Sequence, residues 1–156
     1  MSAVSLNHQR IFANLHRLLG AQVDGHPREI ACSNLLRTAP HGPYFYPDIP
    51  VFRGKPQLED RRQDTLPDAA VIIEILSSST GRYGRTFKFE HYRKLASFQD
   101  FLLVARDEMK IKRRVLHEDA SWEAFEMSHP QAMIGLPSIG CRFHVADAYR
   151  RSSSGQ

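Results

Sequence analysis

Ala69-Ala70-Val71-Ile72-Ile73-Glu74-Ile75-Leu76 is a run of eight residues in which every position but one is apolar. A stretch this apolar reads as a strand buried on both faces of a sheet. An ionised carboxylate there costs several kcal/mol unless it is paired or binds a metal, so Glu74 needs a partner. Working outward, a second acid opens a β-like stretch upstream, Tyr46-Pro47-Asp48-Ile49. Downstream, Ser77-Ser78-Ser79-Thr80 leads into a helical pattern that carries Lys88. Two acids and a lysine on a sheet-plus-helix frame can hold a divalent cation and activate water for phosphodiester cleavage.

The chain has 156 residues, a length that suits one domain, read as residues 1–149. At 42% hydrophobic it can build a core. A net charge of +4 and a pI near 9.3 are consistent with a polyanionic partner. Cys32 and Cys141 have neither metal-type spacing nor a disulfide framework, which points to a reducing, cytoplasmic compartment. His8, Gln9 and Arg10 interrupt the N-terminus too early for a signal peptide. No apolar run approaches the roughly 18 residues of a membrane span.

Leu6 to Leu19 reads as an amphipathic helix, with Ile11, Leu15, Leu18 and Leu19 on one face, Ser5 as cap and Gly20 as stop. Glu29 to Thr38 and Tyr44 to Phe52 read as strands. Pro47 and Pro50 make the second an edge or bulged strand. Lys55 to Asp68 reads as a loop, and Ala69 to Leu76 as the central strand. Arg85 to Ser97 fits a helix with Lys88, Tyr92 and Leu95 on one side. Asp100 to Ala105 is another buried strand. Met109–His117 and Ser121–Met127 read as an antiparallel pair, and Ile134 to Tyr149 holds short pieces. Arg150 to Gln156 is a Ser-rich tail expected to be disordered. The order predicts an α/β fold, a mixed β-sheet flanked by helices.

Tyr46-Pro47-Asp48, then Ile73-Glu74-Ile75-Leu76-Ser77-Ser78-Ser79-Thr80, then Lys88-Phe89-Glu90-His91-Tyr92-Arg93 resembles the Uma-type restriction endonucleases of the PD-(D/E)xK nuclease superfamily. Their pattern is a "PD" strand, "EVLSPST", a helix with "K-x-x-x-Y" and an "eyLlVd"-like strand, whose place Phe101-Leu102-Leu103-Val104 takes. Asn7-His8-Gln9-Arg10-Ile11 resembles the family's "H-x-x-I" helix. The resemblance runs from about residue 5 to about residue 149. It implies a restriction-endonuclease-like fold, with Asp48 and Glu74 as metal ligands and Lys88 serving from the helix. The superfamily's usual lysine, two positions after the glutamate, is Leu76 here, in keeping with a lysine that has migrated to the helix.

The chain departs from that pattern in places. The family's further N-terminal helix and hairpin would precede Leu6, so a shortened member is expected. Gly84 stands where the family has an acid, Ser78 where it has a proline, and Pro50 where it has a β-branched residue. Each site residue also has a plainer reading: Glu74 as a strand-end acid paired with an arginine, Asp48 as a turn residue after proline, Lys88 as a solvated helix charge. His8 and His91 read as helix-surface or partly buried histidines. Arg82, Arg85, Arg93 and Lys94 surround Lys88 and are either a solvated face or phosphate contacts. Lys110, Lys112, Arg113 and Arg114 are either a DNA-tracking edge or a guarded edge strand. The expected function is Mg²⁺-dependent hydrolysis of DNA phosphodiesters, with Mn²⁺ as a substitute metal. DNA is the expected partner, a homodimer is left open, and no membrane is involved. The alternative is an inactive, truncated relative that binds DNA or a protein.

Overall fold

The computed structural model describes residues 5–32, 36–37, 44–54, 68–77 and 81–152, with the side chains of 36, 37, 44 and 81–84 left out. The expected loop at 55–67, the Ser/Thr run at 78–80 and the last four residues of the tail lie outside the described residues.

The apolar run is strand β5, Ala69–Leu76, and seven of its eight residues are buried. It pairs antiparallel with β4 (Ile49–Arg53) and parallel with β6 (Asp100–Ala105). Around it the main sheet continues through β1 (Arg28–Ile30) on one side, and through β7 (Ile111–Leu116) and β8 (Trp122–Met127) on the other. Its order is β1-β4-β5-β6-β7-β8. β2 (Leu36–Arg37) and β3 (Tyr44–Phe45) form a separate antiparallel pair, as do β9 (Met133–Leu136) and β10 (Cys141–His144).

Period-two alternation along β5 sends Val71, Ile73 and Ile75 to one face and Ile72 and Leu76 to the other. The first face is covered by helix α1 (Leu6–Val23), β9, β10 and the short helix α3 (Val145–Ala148). The second packs against helix α2 (Gly81–Tyr92), whose Phe89 and Tyr92 join Phe52, Phe98 and Phe101. Each such buried side chain contributes on the order of 1.5–3 kcal/mol.

Ser5 caps α1 as expected, accepting from the His8 N–H at 3.1 Å, and Ile11, Leu15 and Leu19 are fully buried. Gly20 does not end the helix. Val23 adds one more turn to the apolar stripe, and the left-handed residue that stops the chain is Gly25 (φ 76°). Asn14, nearly buried, donates to the carbonyls of Ala148 and Arg150 at 3.0 and 2.7 Å. Arg150, where the tail was expected to begin, thus has its carbonyl tied to α1.

β4 is bulged between Val51 and Phe52, but it is not an edge, because β1 pairs beyond it. Pro50 turns its carbonyl toward β1 and accepts from Ala31 at 3.0 Å. Its missing N–H faces the same side, so the pair with Ala31, just past the end of β1, keeps one bond where two are usual. α2 begins and ends earlier than the expected 85–97. After Tyr92 the chain tightens into i→i+3 bonds, Lys94 to His91 and Leu95 to Tyr92, which swing Leu95 and Phe98 into the core. The basic hairpin pairs as expected, β7 with β8, yet among the described residues the open edge is β8 rather than the strand that carries the cations.

Candidate active site

The register of β4 and β5 decides whether the two acids meet. Ile49 pairs with Ile73, so Asp48, one residue before β4, stands opposite Glu74. Residues opposite one another in an antiparallel pair project to the same face. That face is α2's, because Glu74 lies between Ile72 and Leu76 at period two. Asp48 is fixed there by accepting the Ile75 N–H at 2.8 Å through Oδ2.

α2 runs back over β5 and brings two donors to the same carboxylate oxygen. Lys88 Nζ is 3.3 Å from Glu74 Oε1, and the Tyr92 hydroxyl donates to it at 2.9 Å. Spacing i, i+4 puts both on one helical stripe. The Glu74 side chain is 4% exposed, against 30% for Lys88, so a buried acid meets a cation that still touches water. Burial above all, with the Asp48 charge adding, lifts the Glu74 carboxyl from 4.5 to about 7, although Lys88 and Tyr92 pull it down. Burial and the charge of Glu74 push the Tyr92 phenol upward, so the hydroxyl stays a donor.

A fourth group joins from α1. His8 Nε2 lies 3.1 Å from Asp48 Oδ1, and facing a carboxylate that nitrogen carries the hydrogen. Sequence reasoning quoted His8 and Tyr92 without giving either a part in the site. For Tyr92 the signal was its i+4 spacing from Lys88; for His8 it was its place in the "H-x-x-I" stretch.

The remaining expected contacts are spread out. Arg85 is half-buried and lies one helical turn before Lys88. Arg93 pairs with Glu90 at 3.3 Å beyond the other end of α2, and Lys94 follows in the turn. Nothing is described of the Arg82 side chain. Cations of the hairpin are partnered: Lys110 with Glu108 at 3.2 Å, Lys112 with Glu126 at 3.7 Å, Arg113 with Asp100 at 2.7 Å. Arg114 lies over the Phe89 ring, 4.5 Å from its centroid.

The donor set suits a small hard cation. Among the described residues, no three His, Cys, Asp or Glu side chains cluster tightly enough to enclose a metal. Mg²⁺ does not need such a cage: it keeps several waters and binds through one or two carboxylates plus substrate phosphate. Asp48 and Glu74 on one face, open toward α2, fit that mode.

The family model of Uma2, described as "Putative restriction endonuclease", matches residues 1–146. The chain belongs to the Uma2 family. It is 30% identical over 135 residues to the uncharacterized protein sll1609 of Synechocystis sp. (strain ATCC 27184 / PCC 6803 / Kazusa), covering 86% of this chain and 76% of the relative. The uncharacterized protein slr1290 of the same organism is 30% identical over 151 residues, covering 96% and 78%. Among solved structures, a putative nuclease belonging to DUF820 from Anabaena variabilis ATCC 29413 superposes with a TM-score of 0.80 at 17% identity, over 96% of this chain and 83% of that one. That likeness confirms the mixed α/β nuclease-like fold. None of the described helices is long and apolar enough to cross a membrane.

Proposed function

We propose that this Uma2 member is a metal-dependent endonuclease that hydrolyses DNA phosphodiesters, with Asp48 and Glu74 holding Mg²⁺, or Mn²⁺ in its place, and Lys88 serving from α2. The observation that carries the reading is the convergence of two carboxylates on one face with an ammonium 3.3 Å from the buried one. A buried acid lifted to about 7 binds a proton or a cation more readily than it stays bare.

Each side chain then has a separate task. Asp48, locked by the Ile75 N–H and His8, presents its carboxylate in a fixed orientation. Glu74, held by Tyr92, would supply the second oxygen ligand. A cation held by these two residues would supply a more acidic water and a positive charge beside the phosphate. Lys88, 3.3 Å from Glu74 and partly in water, would turn its ammonium to the attacking water or the phosphorane oxygens.

Supercoiled plasmid incubated with Mg²⁺, Mn²⁺ or EDTA tests this directly. Nicking or linearisation with either metal and none in EDTA is the expected result. Binding of DNA without any cleavage would instead favour an inactive binding module, the reading that Gly84 supports by standing where the family has an acid.

A further inference from the structure

Beside the acid pair lies a cleft of about 240 Å³ between α2 and the turn from β6 to β7. Its floor is apolar, Leu76 and Leu103, and its cationic lining is Arg85 from α2 with Lys110 and Lys112 from the β7 side. The cleft is continuous with the site along two elements at once. Leu76 follows Glu74 on the same face of β5, about 7 Å further along. Arg85 precedes Lys88 by one turn of α2, a separation of roughly 5–6 Å between Cβ atoms. A step away from the acids on the strand is therefore also a step away from Lys88 on the helix, and both lead into the cleft.

The cations in it are not equally committed. Lys110 has Glu108 at 3.2 Å, and Asp107 and Glu108 also line the cleft. Among the described residues Lys112 pairs with the well-exposed Glu126 at 3.7 Å, a pair weak enough to open. Arg85 is half-buried, faces the cleft and has no ion pair among the described residues. A half-buried guanidinium with no ion pair among the described residues is a seat for a planar or tetrahedral oxyanion, which it can grip with two N–H donors.

We propose that the cleft holds the phosphate of the nucleotide flanking the scissile bond, with Arg85 as its principal contact and Lys112 as the second. The proposal rests on the nuclease reading above and gives the strand a path. From the acid pair it runs past Lys88 toward the β6–β7 turn, away from Arg93 and Lys94. Asp107 and Glu108 at the turn limit the cleft to one such group and keep it from being a general basic surface.

The test is binding of a fluorescent oligodeoxynucleotide in EDTA across a salt series, with wild type, Arg85→Ala, Arg85→Lys and Arg93→Ala, each checked for an unchanged melting curve. Arg85→Ala is expected to weaken binding about tenfold and to reduce the log–log salt slope by about 1. Arg85→Lys should recover part of the affinity, and Arg93→Ala should match wild type. Equal affinity and slope for wild type and Arg85→Ala would overturn the proposal. If wild type binds no oligonucleotide, the nuclease reading fails, and inorganic phosphate becomes the deciding probe. A phosphate-dependent rise in melting temperature that Arg85→Ala abolishes keeps the cleft as an oxyanion site; no rise, or the same rise in the variant, removes it.

Discussion

Two acids are buried in adjacent parallel strands, and they have opposite characters. Asp100, 1% exposed, opens β6 on the α1 face, where Arg113 Nε reaches Oδ1 at 2.7 Å and Ser138 approaches Oδ2. Glu74, 3% exposed, lies on the α2 face with Lys88 at a longer 3.3 Å and with a second acid, Asp48, opposite it. Burial raises both carboxyls. Only at Glu74 does a neighbouring carboxylate raise it further, and its cation is the more exposed of the two, 30% for Lys88 against 17% for Arg113. Burial alone therefore does not mark a site. The mark is a buried acid left under-compensated beside a second acid, with a cation free to move.

The largest effect should come from the compensated pair. Arg113→Ala leaves Asp100 buried without its charge partner and should destabilise the fold by about 3–5 kcal/mol in urea denaturation. Metal binding and cleavage by the protein that stays folded should be unchanged. A variant of normal stability that no longer bound metal would erase the distinction between the two acids. Next comes Lys88→Ala, which should keep fold and metal affinity and lose about 10²–10³-fold in plasmid cleavage rate. Asp48→Asn should lower metal affinity as well as rate. Equal cleavage by wild type and Lys88→Ala would return the lysine to a plain ion-pair role.

The apo protein's pH dependence separates the acids more finely. Because Glu74 holds its proton more tightly when folded, its burial costs nothing below about 4.5, and the cost grows as pH rises through about 7. Stability of the metal-free protein should therefore fall across that window. Glu74→Gln should remove this part of the slope and stabilise the apo protein above neutrality by about 3 kcal/mol, an upper figure. Denaturation curves at pH 5 and pH 8, in EDTA, read the difference directly. Parallel pH profiles for the two proteins would mean that Glu74 is already neutralised by its partners.

The same contrast explains what could be read from the sequence. Glu74 was legible because one acid in an apolar strand is anomalous on its own, and β5 and β6 were legible to the residue because their runs are otherwise apolar. Asp100 was passed over as the first residue of a strand, and Arg113 was placed in a basic cluster. Their meeting depends on the antiparallel register of β6 and β7, in which Leu102 is opposite Arg113. No local pattern encodes that offset. His8 was out of reach for the same reason, since 40 residues separate it from Asp48. Gly20 misled because its helix is terminated by packing of Val23 and by Gly25, one turn later.

The smallest effect should be Tyr92→Phe, and it tests the under-compensation most closely. The hydroxyl donates to Glu74 Oε1 at 2.9 Å and draws the carboxyl down. Removing it leaves ring packing against Phe45, Phe98 and Phe101 in place, so the fold should hold. Glu74 then titrates higher than about 7, and at neutral pH a proton competes more strongly for the oxygen that would bind the cation. Mn²⁺ affinity measured by calorimetry should fall about tenfold at pH 7, the scale of a lost outer contact to a metal ligand. The deficit should shrink steadily as pH rises, because the proton ceases to compete while the cation does not. A loss of the same size at every pH would mean that Tyr92 only positions the carboxylate and does not hold its titration down.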